Sequence, residues 1–173
     1  MSDVHPNTLR VIAAAREAGL EITTRRFPEG TKTAADAATA IGVTVGQIVK
    51  SLVFGVDNEI VMALVSGSNQ LDEKKLALAA GGAKCARVDA DAVREATGYP
   101  IGGVPPFGHS TQLRVFVDPD LLLLVQPTLD EFQPKIFLVS VYYSAQPHLI
   151  PTVYICIFKL KFNIYFCQVL KLL

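Results

Sequence analysis

Lys50 is the first residue from which chemistry can be argued, because it stands in QIVKSLVF among Ile48, Val49, Leu52 and Val53. A segment this apolar favours burial, so its ammonium either snorkels to water or is held for a purpose. At an exposed sheet edge a lysine discourages strand pairing. Aimed into a cleft, it can hold a phosphate, a terminal carboxylate or a developing oxyanion. The residues alone leave both readings open. The second feature is TGYPIGGVPPFGH, residues 97–109, which combines adjacent glycines, Gly102 and Gly103, with adjacent prolines, Pro105 and Pro106. Glycines let a backbone approach a ligand with its N–H groups exposed, and prolines fix the neighbouring dihedrals. Such a loop suits oxyanion or adenosine recognition, and it also serves as an ordinary long connection between a helix and a strand. His109, at the loop exit between Gly108 and Ser110, titrates in the range of a general base, although a solvent-exposed histidine is the commoner outcome there.

Other chemistries find little support. Ser51, Ser66, Ser68 and Ser110 lie in no GxSxG setting, and Cys85 in AKCARV is expected to pack rather than react. Neither GxxxxGKS/T nor GxGxxG occurs, which argues against nucleoside triphosphate hydrolysis. The three cysteines and three histidines do not cluster at ligand spacing, so no metal or other cofactor is expected. An odd number of cysteines without CxxC, and no charged-then-apolar leader, fit a cytoplasmic protein. With 16 basic and 16 acidic residues the formal charge is zero, so nucleic acid is not bound by bulk basicity and any such contact must be local.

The elements that would position these residues read as alternating helices and strands. Residues 7–18 place Leu9, Ile12 and Ala13 at helical spacing, giving a surface helix stopped at Gly19. Residues 21–27 read as a strand, and a second helix starts at Thr33, with Asp36 completing a capping box and Gly42 closing it. Residues 45–50 suggest one helical turn before the apolar runs 51–56 and 59–65, a hairpin around Asp57-Asn58 whose strands lack polar alternation and so are covered on both faces. A helix over 71–80 capped by Asp72, a strand over 83–88, a helix over 91–97 and a strand over 112–117 complete the set. The fold class is α/β or α+β, a mixed twisted sheet with surrounding short helices.

One shift of composition divides the chain. All 12 glycines lie between Gly19 and Gly108, whereas after Leu123 alanine falls to the single Ala145 and Phe and Tyr become frequent. Residues 1–122 therefore read as the domain, and residues 123–173 as an atypical apolar tail, non-native or poorly folded. The stretch 150–173 is no clean membrane span, because Lys159, Lys161 and Asn163 interrupt it, and no membrane partner is expected.

Taken in order, TAADAATAIGV, QIVKSLVF, MALVSGSNQLDEKKLALAAGGAKCARVDADAV and TGYPIGGVPPFGH resemble the YbaK/ProX family of aminoacyl-tRNA deacylases, related to the editing domain of bacterial prolyl-tRNA synthetases, over about residues 7–122. The resemblance implies a trans-editing hydrolase that cleaves the ester joining a mischarged amino acid to the 3′-terminal adenosine of tRNA. Its partners would be the 3′ end of aminoacyl-tRNA and prolyl-tRNA synthetase or another synthetase. The family's lysine falls on Lys50 and its G-x-x-x-P loop on Gly102, Gly103, Val104, Pro105 and Pro106. Phe27 takes the place of an aromatic residue near the pocket, and His109 closes the loop. Lys50, Gly102 and Gly103 are then the catalytic set, the others substrate-binding, with water as nucleophile and no metal. After VFVDPDLL the family's glycine-rich turn and final strand-helix segment are absent, which removes part of the pocket wall. The alternative is an inactive relative that binds tRNA or a synthetase.

Overall fold

The computed structural model of the chain describes residues 4–20, 22–27, 33–123, 137–139 and 153–158. Helices begin where side chains can satisfy their first free N–H groups. Helix α1 (Pro6–Glu17) starts on a proline, and Nδ1 of His5 accepts from the Asn7 N–H. Strand β1 (Ile22–Phe27) follows. Helix α2 (Ala34–Ile41) carries the expected capping box, with the Asp36 N–H donating to Thr33 Oγ1 at 3.1 Å and the Thr33 N–H to Asp36 Oδ2 at 3.0 Å. Asp72 caps α3 (Glu73–Ala80) by accepting from the Lys74 and Lys75 N–H groups, Asp89 caps α4 (Ala90–Thr97) by accepting from those of Asp91 and Ala92, and the left-handed glycines Gly42, Gly81 and Gly98 end α2, α3 and α4.

A single 3₁₀ turn, Val45–Gln47, leads into β2 (Ile48–Val56), so the helical turn expected over 45–50 is three residues long and Lys50 belongs to the strand. Strand β2 pairs antiparallel with β3 (Glu59–Ser66) along its length and with β4 (Cys85–Arg87) at its C-terminal half. Strand β3 pairs in parallel with β5 (Arg114–Val117), after which comes α5 (Pro119–Leu123). Of residues 123–173, the expected tail, the structure describes Leu123 and two strands, and the rest lies outside the described residues. Strand β6 (Phe137–Val139) runs parallel to the first three residues of β2, and β7 (Val153–Phe158) pairs antiparallel with β1. The architecture is a mixed sheet with short helices.

Both faces of β2 and β3 are covered, as their continuous apolar character requires. On one face Val49 and Met62 pack with Val11 and Ala15 of α1, Val93 of α4, Tyr99, Val104 and Leu121. On the other, Val56, Val61, Ala63 and Val65 meet Leu76 and Ala77 of α3, while Ile48 meets Ala37 and Ala38 of α2. The buried face of α1 is Thr8, Val11 and Ala15, not the Leu9, Ile12 and Ala13 suggested by apolar spacing, and Leu9 stands 54% exposed. Cys85 packs partly buried against the α3 side, and burial with Glu73 nearby pushes its thiol up, away from reactivity at neutral pH.

The hairpin turn between β2 and β3 supplies a first prediction. Asp57 has φ of 52°, left-handed for a residue with a side chain, and its carboxylate accepts the N–H groups of Ala83 and Lys84, each at 2.9 Å. The turn thus anchors the approach to β4. Asp57→Ala loses two charge-assisted bonds and puts a β-carbon without compensation in that region, so it is expected to cost about 2 kcal/mol. Asp57→Gly relieves the backbone and should recover about 1 kcal/mol of it in a denaturant titration.

Candidate active site

Lys50 stands on an internal strand, with Val65 of β3 opposite it on one side and Val139 of β6 on the other. The edge-lysine reading is therefore excluded by topology. Side chains alternate along a strand, so Lys50 shares a face with Ile48 and Leu52 and points to the side carrying α2 and α3. Its ammonium donates to the carbonyl oxygen of Asn69 and, at 3.5 Å, to that of Gly67. Both carbonyls belong to the turn at residues 66–69 that leaves β3. Burial pushes the Lys50 ammonium below the usual lysine range, and the Asp118 carboxylate partly opposes this. The site thus lies where β2 begins and where β3 and β5 end, outside the carboxyl ends of the parallel pair.

The loop of residues 102–106 packs over the opposite face of the sheet. Val104 is 5% exposed and belongs to the same buried cluster as Val49 and Leu121, which flank Lys50 and the Asp118 segment in the chain. Gly102 is exposed at φ of +80°, with open space on its Cβ side. The Gly103 N–H donates to Pro100 O at 3.0 Å, so it is committed within the loop. The N–H groups of Gly102 and Val104 take no acceptor among the described residues, and these are the donors the loop offers. Lys50 thus faces α2 and α3, whereas the loop packs through Val104 into the cluster on the opposite face of β2, the face of Val49. Phe27 is half-buried in the cluster of Ala37, Ala38 and Ile48, on the Lys50 side.

His109 binds the loop rather than standing in solvent. A carbonyl only accepts, so Nε2 of His109 donates to Pro105 O at 2.6 Å. Burial pushes its pKa down; the bond to Pro105 opposes this and the nearby Arg10 cation adds to the lowering. The imidazole is therefore neutral at pH 7, in the form that staples Pro105, and it braces the loop against Tyr99, whose ring meets it edge-on with centroids 6.3 Å apart.

Sequence reasoning missed Arg10, which closes the same loop from α1. Its guanidinium donates to Gly108 O at 2.7 Å, Thr97 O at 2.7 Å and Gly98 O at 3.3 Å, and it stacks over Tyr99 at 4.0 Å from the ring centroid. One cation thus ties together both ends of the 98–108 segment. Arg10→Met keeps the stem's packing and removes these bonds, so it is expected to lower stability by about 3 kcal/mol, read as a shift of the denaturant midpoint. A loss under about 0.5 kcal/mol, the range of an ordinary surface substitution, would show that the loop holds itself.

Two open depressions flank the β2–β3 hairpin turn at the other end of the sheet, the first of about 360 Å³ and lined by Asp57, Lys84 and Arg87 among others. Neither is lined by any residue of the Lys50 site. Among the described residues no group of three His, Cys, Asp or Glu side chains could hold a metal ion, and no helix is long and apolar enough to cross a membrane.

Comparison with known proteins adds an independent line. The chain is 31% identical over 112 residues to a proline–tRNA ligase of Desulforamulus reducens, covering 65% of this chain and 20% of that protein. It is 34% identical over 96 residues to the uncharacterized protein YwhH of Bacillus subtilis, covering 55% of this chain and 60% of that one. The chain thus spans about a fifth of the length of the ligase. A crystal structure of a candidate trans-editing enzyme for prolyl tRNA synthetase matches with a TM-score of 0.65 and 34% identity, covering 88% of this chain and 87% of that one. The model of the aminoacyl-tRNA editing domain matches residues 28–124, more than half of the chain and the whole of the segment carrying Lys50 and the loop. On the strength of that match and of the shared fold, this chain belongs to the aminoacyl-tRNA editing domain family, the YbaK-like group.

Proposed function

We propose that this protein is a deacylase that hydrolyses the ester between a wrongly attached amino acid and the 3′-terminal adenosine of tRNA, acting in trans in the cytoplasm. The observation that carries the reading is a lysine ammonium held half-buried near the start of an internal strand, with a glycine-proline loop packed over the other face of the sheet whose Gly102 and Val104 N–H groups take no acceptor among the described residues. A cation in such a place suits an anionic substrate group or the oxyanion of a tetrahedral intermediate. The tRNA 3′ end offers both a phosphate and an ester carbonyl.

In this reading Lys50 holds the reacting end of the substrate, and the Gly102 and Val104 N–H groups polarise the ester carbonyl. Pro105 and Pro106 keep the loop stiff, His109 staples it, and Phe27 forms an apolar wall on the Lys50 side. Water is the nucleophile. Rate enhancement then comes from positioning and charge stabilisation, which agrees with the lack of a nucleophile-base pair in the sequence. Discrimination among small amino acids should be partial, because one methylene in a pocket is worth only about 1–3 kcal/mol.

Single-turnover deacylation of tRNAs charged with alanine, cysteine, serine or threonine tests the proposal against the rate in buffer alone. Enzyme-dependent release from at least one species is the expected result. Retained tRNA binding without release from any would overturn it in favour of a binding module.

A further inference from the structure

The ammonium of Lys50 is directed by the chain segment that receives it, and that segment is itself held from outside. Asn69, whose carbonyl accepts from Lys50, donates through Nδ2 to Asp118 Oδ2 at 2.8 Å and to Asp120 Oδ2 at 2.7 Å. Its two amide protons thus go to two carboxylates, a fully used planar donor. Asp118 Oδ2 also accepts the Ser66 N–H at 3.1 Å, and the Asp118 N–H donates to Leu64 O at 2.8 Å, continuing the β3–β5 pairing. The Asp120 N–H in turn donates to Asp118 Oδ1 at 3.0 Å. The other end of the turn is fixed by Ser66 Oγ donating to Gly46 O at 2.9 Å. A rigid strand end therefore sets the position of the Asn69 carbonyl.

We propose that Asn69, clamped between Asp118 and Asp120, is the positioning residue of Lys50, and that Asp118 is the carboxylate whose charge bears on this ammonium. For its effect on rate the inference rests on the deacylase reading; for its effect on Lys50 it does not. The remaining charged groups on the strands paired with β2 and on the helices over its Lys50 face are Asp36 on α2, Glu59 on β3, Glu73, Lys74 and Lys75 on α3, and Arg87 on β4. All six are exposed, where water screens them. Asp118 is the charge that acts on Lys50 against its desolvation.

The test is a pH titration of the full chain labelled with ¹³C at lysine Cε, with the Lys50 resonance assigned by its loss in Lys50→Met. Asp118→Asn keeps a side-chain oxygen for the Ser66 N–H but removes the charge, and the Lys50 midpoint is expected to move to lower pH. Asn69→Ala is expected to shift the Lys50 resonance at neutral pH. It should also lower the single-turnover rate at saturating tRNA by roughly 10- to 100-fold, the cost of a misplaced group, with tRNA affinity unchanged. A Lys50 titration identical to wild type in both variants overturns the proposal, whether or not the protein deacylates. Shifted titrations in a protein that deacylates nothing uphold it and remove the deacylase reading instead. Should Asn69→Ala fail to fold, Asp118→Asn carries the test alone, since its prediction concerns charge.

Discussion

Replacing Lys50 by alanine is expected to lower single-turnover deacylation by about 100-fold or more, the usual loss when one preorganised charge-stabilising donor is removed. Lys50→Arg should recover little of this. The acceptors of Lys50 are the carbonyls of Gly67 and Asn69, converging on a compact ammonium, and a planar fork presents its donors in a different geometry. The alanine change should not unfold the protein, because removing a half-buried cation also removes its desolvation. The same shift fixes the pH dependence. Burial holds the Lys50 pKa below its value in the unfolded chain, so between the two values the folded state binds fewer protons and stability rises with pH across that window. Activity moves the other way, since the ammonium is lost as pH rises through the folded-state value. Background ester hydrolysis also accelerates in alkali, so the loss is read as the ratio of enzymatic to buffer rate. A Lys50→Ala variant within threefold of wild type would remove the lysine from the mechanism.

What could be read from the sequence was what is local. The capping box of Thr33 and Asp36, the caps at Asp72 and the stops at Gly42 and Gly81 depend on neighbours three or four residues away, and each appears where it was expected. The hairpin and its coverage on both faces followed from the unbroken apolar runs around Asp57. The phase of α1 did not follow, because a buried threonine, Thr8, outranked an exposed leucine, and polarity alone assigns them the other way. The parts that hold the site in place were invisible for a different reason. Arg10 reaches Gly108 across 98 residues, and Asn69 reaches Asp118 and Asp120 across 49 and 51. No spacing rule links such pairs; Asp118-Pro119 reads locally as a strand breaker and nothing more. Among the loop glycines the sequence could not tell which N–H would be committed, and the structure commits that of Gly103.

Gly67→Ala is expected to be the most damaging single methyl group added near the site, and Gly102→Ala among the mildest, although both alter a glycine beside the proposed chemistry. At Gly67 a β-carbon would lie well inside contact distance of Val45 O, 3.1 Å from Ile48 Cβ and 3.2 Å from Ala34 Cβ. The oxygen is backbone and the two carbons belong to the start of β2 and the start of α2, so none can rotate away. The Gly67 N–H also donates to Ile48 O at 2.6 Å, which holds the turn against the strand. Relief requires the turn to move outward, at a cost of about 3 kcal/mol, the upper range of overpacking. For a chain of this size that is roughly a 6–12 °C fall in Tm. The turn carries the Gly67 and Asn69 carbonyls with it, so Lys50 loses its acceptors and the rate should fall further than stability accounts for. At Gly102 a β-carbon meets nothing within 4 Å, and the penalty is only that of φ +80°, about 1–2 kcal/mol. Thermal melts of the two variants beside their single-turnover rates separate the cases. Equal destabilisation would mean that the 66–69 turn yields as easily as an exposed loop, and Lys50 would then have no rigid frame to act from.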